Sequence, residues 1–140
     1  MSNVETFESL IAAAQASFPT RFCRVVAMRE HGDFGYVLFD TGSRDQPYLY
    51  GVNYQRADGR WLEGGSSNGD GWSHMGPDPR LGTLALWDHA PAGADRVRVE
   101  LGGQSREEAI ENGIYLVVWW GVPVDLGLWQ ISFRINGQWR

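Results

Sequence analysis

Few side chains in this sequence could do acid–base or metal chemistry. The three histidines all fall in segments predicted to be loops: His31, His74 and His89. His74 stands near Asp70 and Asp78, and the histidine at position 89 follows an aspartate directly. Carboxylate oxygens and a neutral imidazole suit several divalent ions. Loop histidines and aspartates are more often merely solvated, so we predict no metal site and no cofactor.

The sequence also lacks the motifs of common enzyme classes. It has no Gly-x-Ser-x-Gly elbow, phosphate loop, dinucleotide fingerprint or paired cysteines. Cys23 lies in an apolar segment and is predicted to be a small buried hydrophobe. Glu30, Glu63 and Glu100 lie on or beside predicted strands, but nothing places two of them face to face as glycoside hydrolysis requires. A non-enzymatic protein is therefore favoured, and a small hydrolase-like enzyme using loop His and Asp residues is the second alternative.

Aromatic side chains are the stronger functional signal. Tyr48, Tyr50 and Tyr54 share one face of a predicted strand, and Trp61 stands across a predicted hairpin. These rings could form a flat stacking platform for a sugar, a peptide or a protein surface. The other interpretation is that the same rings close a small core. Trp72 lies in a glycine-rich segment, where packing into a core is harder to arrange.

The elements that would position these residues are mostly strands. The apolar run Ile114–Trp120 has the length and the β-branched and aromatic content of a strand covered on both faces, so it predicts a buried central strand. One amphipathic helix is predicted over residues 3–18, starting at a capping box and ending before Pro19. The expected class is mainly β (α+β), with this helix packed on antiparallel sheets.

Turn residues divide the rest of the chain into short strands. Asn-Gly or Asp-Gly pairs predict type I′ hairpins at three places: Asp58-Gly59, Asn112-Gly113 and Asn136-Gly137. The last of these turns should let Trp139 fold back on the core. The segment Gln104–Glu111 is compatible with an edge strand or a helical turn.

The length of 140 residues predicts one domain with three parts. Residues 1–63 hold the helix and antiparallel strands, and residues 64–82 form a Gly-rich loop. Residues 83–140 form a β-sandwich-like half, similar in architecture to small immunoglobulin-like sandwiches but without their paired cysteines.

Several short motifs also carry a family resemblance. They are Asp58–Gly64 (DGRWLEG), Ser66–Gly69 with Gly71-Trp72, Ala90–Ala94 (APAGA) and Val117–Trp120 (VVWW). Together they resemble a family of small bacterial proteins of unassigned function, over most of the chain after about residue 22. The resemblance implies no activity and no functional residue.

The net charge of −5 argues against a nucleic-acid or anionic-membrane surface, since both need clustered cations. With no basic, apolar opening segment, a cytoplasmic location is expected. The leading hypothesis is a non-enzymatic module that binds a protein partner, as immunity or adaptor proteins do, through the aromatic face and the 63–82 loop. Its candidate binding residues are Tyr48, Tyr50, Tyr54, Trp61, Asp70, Trp72 and His74. The first alternative is a small-molecule or carbohydrate-binding domain.

Overall fold

Strands make up most of the chain that the computed structural model describes, namely residues 12–14, 24–40, 42, 49–67, 71–74, 78, 80–123 and 128–140. They are β1 (Arg24–His31), β2 (Phe34–Asp40), β3 (Leu49–Ala57), β4 (Arg60–Ser67), β5 (Gly71–His74), β6 (Leu81–His89), β7 (Ala94–Leu101), β8 (Gln104–Ala109), β9 (Ile114–Pro123), β10 (Gln130–Ile135) and β11 (Gln138–Trp139). Their sheets are antiparallel, which confirms a mainly β protein. The strands belong to two compact units, Met1–Gly69 and Asp70–Arg140. That these units make up a single domain stays a prediction.

The first unit contains a four-stranded sheet in the order β1-β2-β3-β4. Each strand pairs with the next along the chain, and two-residue turns join β1 to β2 and β3 to β4. Asp58 and Gly59, between β3 and β4, have φ angles of 54° and 73°. A type I′ turn needs positive φ at both central positions, so this predicted hairpin is confirmed.

One face of this sheet carries the core of the first unit. The buried residues of the core are Ala13, Ala14, Val37, Phe39, Val52, Tyr54 and Trp61. Residues 12–14 are helical, and the rest of the helix predicted over residues 3–18 lies outside the described residues. The two alanines pack as a docked helix would, but the α+β class has no support beyond this short segment.

The second unit contains two sheets, in the orders β11-β10-β7-β8 and β5-β6-β9. Their inner side chains form one core: Leu84, Leu86, Val97, Val99, Leu101, Tyr115, Val117 and Trp119, with Ile131 and Phe133 packed against them. Tyr115 of β9 and Phe133 of β10 meet edge to face, with ring centroids 5.3 Å apart. Such inward alternation from two antiparallel sheets is consistent with the β-sandwich predicted for this half.

Strand β9 contains the apolar run from which a buried central strand was predicted. Residues Ile114–Trp119 are all buried, so burial on both faces is confirmed. The central position is wrong, because β9 pairs with β6 and ends the order of its sheet. An apolar pattern reports which faces are covered, whereas position in a sheet depends on which backbones pair at the strand edges.

The predicted loop over residues 64–82 is also partly wrong. Strand β4 continues to Ser67, β5 covers Gly71–His74, and β6 begins at Leu81. Gly and Ser carry no apolar alternation that would reveal a strand. Backbone pairing with β3 and β6 nevertheless holds these residues extended, which shows tertiary pairing overriding local propensity.

The segment with two predicted outcomes, Gln104–Glu111, contains the edge strand β8. Its alternate residues face opposite sides of the sheet, and those facing the core pair with Val97, Val99 and Leu101 of β7.

Within the described ranges, no helix is long and apolar enough to cross a membrane.

Candidate functional site: a cleft between two edge strands

The predicted aromatic platform is largely built into a core. Tyr54 is 0% exposed and Trp61 is 2% exposed, and both belong to the core cluster of the first unit. Tyr50 is half-buried and packs against the same cluster. These rings therefore cannot serve as an open stacking surface, and the core interpretation applies to them. Tyr48 lies outside the described residues.

The other predicted binding residues come from the glycine-rich segment. Trp72 and His74 lie on β5, where their backbones pair with Leu84 and Gly82. Their side chains and the whole of Asp70 lie outside what the structure describes, so their role stays a prediction. Among the described residues, no group of three or more His, Cys, Asp or Glu side chains could hold a metal ion.

A cleft of about 320 Å³ in the second unit lies between the edge strands β8 and β9. One wall comes from the β7–β8 hairpin and the other from the end of β9. The residues that line it are Leu101, Gly102, Gln104, Arg106, Trp119, Trp120, Gly121, Val122 and Pro123. Two tryptophans, one cation and one amide thus converge in a cleft whose exposed lining is mainly polar.

A β-bulge shapes the β9 wall. Leu84 pairs with Trp119 and Gly82 pairs with Val122, so two residues of β9, at positions 120 and 121, stand opposite a single residue of β6. Gly121 has a φ of +62°, a left-handed value that side-chain-bearing residues rarely adopt. The bulge restores Val122 to the core side and interrupts the regular ladder beside the cleft.

Arg106 forms the floor of the cleft together with Trp119. The strand register places Arg106 opposite Val99 and Gln104 opposite Leu101, so both side chains lie on the core-facing side of β8. The guanidinium carbon of Arg106 lies 4.9 Å from the ring centroid of Trp119. Its Nη1 donates a hydrogen bond to the backbone carbonyl oxygen of Val118 in β9. A charged side chain thereby covers the free edge of that strand.

Two features occur together in this pair, whereas Trp61 of the first unit also has a buried Nε1–H without a partner but stacks with an arginine that is bonded to Asp33. Within the described part of the chain, no carboxylate forms an ion pair with Arg106. Trp119 is 4% exposed, and its buried Nε1–H has no hydrogen-bond acceptor among the described residues. Buried donors are nearly always paired, so an unpaired one beside a cleft calls for an explanation.

No protein-family model, curated protein or solved structure significantly matches this chain. The function must therefore be argued from the geometry of the site itself.

The outer face of the β11-β10-β7-β8 sheet bears a second Arg–Trp pair. Arg98 stacks on Trp139 at 3.9 Å from the ring centroid, and its Nε and Nη2 donate to Glu107 at 3.0 and 2.8 Å. Trp139 pairs with Arg134, on the side of the sheet away from Val97 and Phe133. The prediction that Trp139 folds back on the core is therefore wrong, because the short hairpin returns it to the polar face.

A bidentate ion pair completes this outer face. Nε and Nη2 of Arg134 donate to the carboxylate of Asp95 at 3.0 and 2.7 Å. The hydrogen bond from Arg134 lowers the pKa of Asp95 and raises the pKa of the arginine in turn. The outer face thus satisfies its charges internally, which the cleft does not.

A larger concavity of about 470 Å³ lies beside the β7–β8 turn, lined by Glu100, Leu101, Gly102, Gly103, Gln104, Ser105, Leu128 and Gln130. Leu128 is 94% exposed, so this concavity is open surface. None of the residues that line it has a buried side-chain polar atom without a partner. The cleft is the better candidate site.

Sequence reasoning missed both Arg106 and Trp119. Two signals could have pointed to them: an arginine at an inward position of an edge strand, and a glycine directly after the Trp-Trp pair that ends the buried run.

Proposed function

We propose that this protein is a non-enzymatic binding module that holds a small ligand in the cleft between β8 and β9. The observation that carries this proposal is the buried, unpaired Nε1–H of Trp119 beside Arg106, a cation that lacks an acidic partner among the described residues. A ligand acceptor in the cleft would add a partner for the guanidinium, which among the described groups bonds only the Val118 carbonyl, and would bring an acceptor next to the Trp119 ring that lines the cleft.

The size and lining of the cleft support a small ligand. Small-molecule sites typically enclose ~300–1,000 Å³ and combine aromatic walls with a few polar groups that fix orientation. The cleft of about 320 Å³ stands at the lower end of this range, and its aromatic walls are Trp119 and Trp120. Its described lining residues include no Ser, Cys, His, Asp or Glu, the usual nucleophiles and general bases, which favours binding over catalysis.

Recognition of a protein partner through the aromatic face has less support. That hypothesis used the aromatic face together with the 63–82 loop, and Tyr54 and Trp61 of the aromatic face are buried. The side chain of Trp72 in the loop lies outside the described residues. The small-molecule or carbohydrate alternative gains support instead, at a place different from the one predicted.

Side-chain indole NMR tests the proposal. The seven tryptophans each contribute one indole N–H signal, and a Trp119→Phe variant assigns the one in the cleft. Titration with a panel of small aromatic acids, amides and sugars should shift the Trp119 signal and leave the Trp139 signal unchanged. If every active compound shifts Trp139 and none shifts Trp119, the cleft is not the binding site.

A further inference from the structure

We infer that the ligand of the cleft carries an oxyanion, with Arg106 as its anchor and Trp119 Nε1–H and the Gln104 amide as supporting donors. This inference rests on the proposed binding function and adds the chemical class of the ligand. The argument begins from the three Arg–Trp stacks among the described residues.

In two of these stacks the arginine already has a carboxylate. Arg56 lies 5.1 Å from the ring centroid of Trp61, and its Nε donates to Asp33 at 3.1 Å. Arg98, on Trp139, has Glu107 as its partner. In the described part of the chain only the cleft arginine stacks on a tryptophan without an acid.

Arg106 is partly buried, so the missing counter-ion matters more there than at an open surface. A cation taken out of water loses hydration, and a fixed anion would restore that energy at short range. One guanidinium N–H group is used by the Val118 carbonyl. The remaining donors keep the planar fork that matches the two oxygens of a carboxylate or phosphate.

The charges around the cleft also favour an anionic ligand. Arg106 is the one charged side chain among the described residues that line the cleft, although the chain as a whole carries a net charge of −5. Glu108 lies two residues from Arg106 on the same face of β8 but is not among the described residues that line the cleft, and Glu100 lines the neighbouring concavity. Within the described lining of the cleft, an anion is therefore attracted to Arg106 and meets no carboxylate.

The guanidinium is also held in place before any ligand arrives. Stacking on Trp119 and the bond to Val118 restrict its rotamers. Binding then needs little ordering of the longest side chain in the cleft, and such preorganisation raises affinity.

The test uses three aromatic probes of nearly equal size: benzoate, benzamide and phenyl phosphate. The readout is the indole N–H shift of Trp119 in the full chain at low ionic strength. Benzoate or phenyl phosphate should shift this signal and saturate, and benzamide should bind about tenfold more weakly because it offers no charge to Arg106. The tighter of the two anions identifies the oxyanion as a carboxylate or a phosphate.

Two variants separate the proposed role from a structural one. Gln104→Glu is nearly isosteric and places a carboxylate among the residues that line the cleft, on the same face of β8 as Arg106, so it should reduce anion binding by about tenfold or more. Arg106→Lys keeps the charge but loses the fork, and should weaken benzoate by several-fold. Unchanged positions of the other indole signals verify that each variant is folded.

The outcomes distinguish this inference from the proposed function. Equal binding of benzamide and benzoate at Trp119 overturns the oxyanion anchor and leaves a cleft that binds neutral ligands. Benzoate binding that is unaffected by Gln104→Glu also overturns it. Absence of any shift at Trp119 with all three probes overturns both proposals.

Discussion

Two Arg–Trp pairs in the second unit show how the same two residue types serve different ends. On the outer face, Arg98 stacks on Trp139 and shares Glu107 with Arg96. In the cleft, Arg106 stacks on Trp119, and among the described residues it has a backbone carbonyl but no carboxylate.

The difference lies in what remains unsatisfied. The outer pair is half-exposed, and its charges are neutralised within the sheet. The cleft pair has a buried indole N–H without an acceptor and a partly buried guanidinium without an acid among the described residues. An Arg–Trp stack is thus ordinary surface packing when its charge is paired, and it becomes a candidate site when the neighbouring groups leave donors free.

The largest effect is expected from truncating the two tryptophans. Trp119→Ala should lower the free energy of unfolding by about 3–5 kcal/mol, because a nearly fully buried ring leaves a cavity in the core of the second unit. Trp139→Ala, its control on the outer face, should cost about 1 kcal/mol. Chemical denaturation measures both, and equal losses would show that the two pairs do not differ in packing.

The bulge beside the cleft offers the next largest effect. Gly121→Ala should cost about 1–2 kcal/mol, because its φ of +62° is unfavourable for a side-chain-bearing residue even though the space around it is open. Gly121→Asn is the matched control, since asparagine tolerates this conformation better, and it should recover part of the loss. If alanine proves neutral in denaturation, the left-handed bulge does not shape this wall.

Removing the acid from the outer pair tests whether a free arginine is enough to make a site. Glu107→Gln should change stability by less than about 1 kcal/mol, because the pair is partly exposed and screened by solvent. Benzoate should then shift the Trp139 indole signal less than the Trp119 signal, since the outer face has no enclosing walls. Glu100→Gln is the control for net charge. A shift at Trp139 as large as at Trp119 would mean that enclosure contributes nothing.

The smallest effect concerns the outer ion pair of Asp95 and Arg134. The hydrogen bond from Arg134 lowers the pKa of Asp95 in the folded state. The ion pair therefore stabilises the folded state slightly at pH values above the unfolded-state pKa of Asp95. This stabilisation is lost as the pH falls through the folded-state pKa. In a carboxyl NMR titration, Arg134→Gln should raise the pKa of Asp95 towards its ordinary value. Arg96→Gln should raise it less, because Arg96 acts through charge alone.

Local sequence patterns predicted much of the second unit. The Asn-Gly pairs at 112–113 and 136–137 adopt the positive φ angles that their hairpins require. The alternation of Val97, Val99 and Leu101 with charged residues placed one face of β7 in the core. These features depend on residues adjacent in the sequence, which explains why they could be read from it.

The cleft could not be predicted in this way. Arg106 and Trp119 lie 13 positions apart in the sequence, on strands that belong to different sheets. Their contact depends on how the two sheets pack. The burial of Tyr54 and Trp61 likewise depends on which face of their sheet the core covers. Side-chain type limits what a residue can do, but it does not say which neighbours it will meet.

The sequence by itself determined the mainly β character, the hairpin positions and the burial of residues 114–119, because backbone sterics and side-chain alternation act over a few residues. Only the tertiary structure decided that the glycine-rich segment joins strands and that β9 ends its sheet. It also decided that one arginine stacks beside a cleft without an acid from the described residues. Those outcomes arise from pairing and packing between segments that are distant in the sequence. Burial and unsatisfied hydrogen bonds depend on such neighbours, and a local sequence pattern does not identify them.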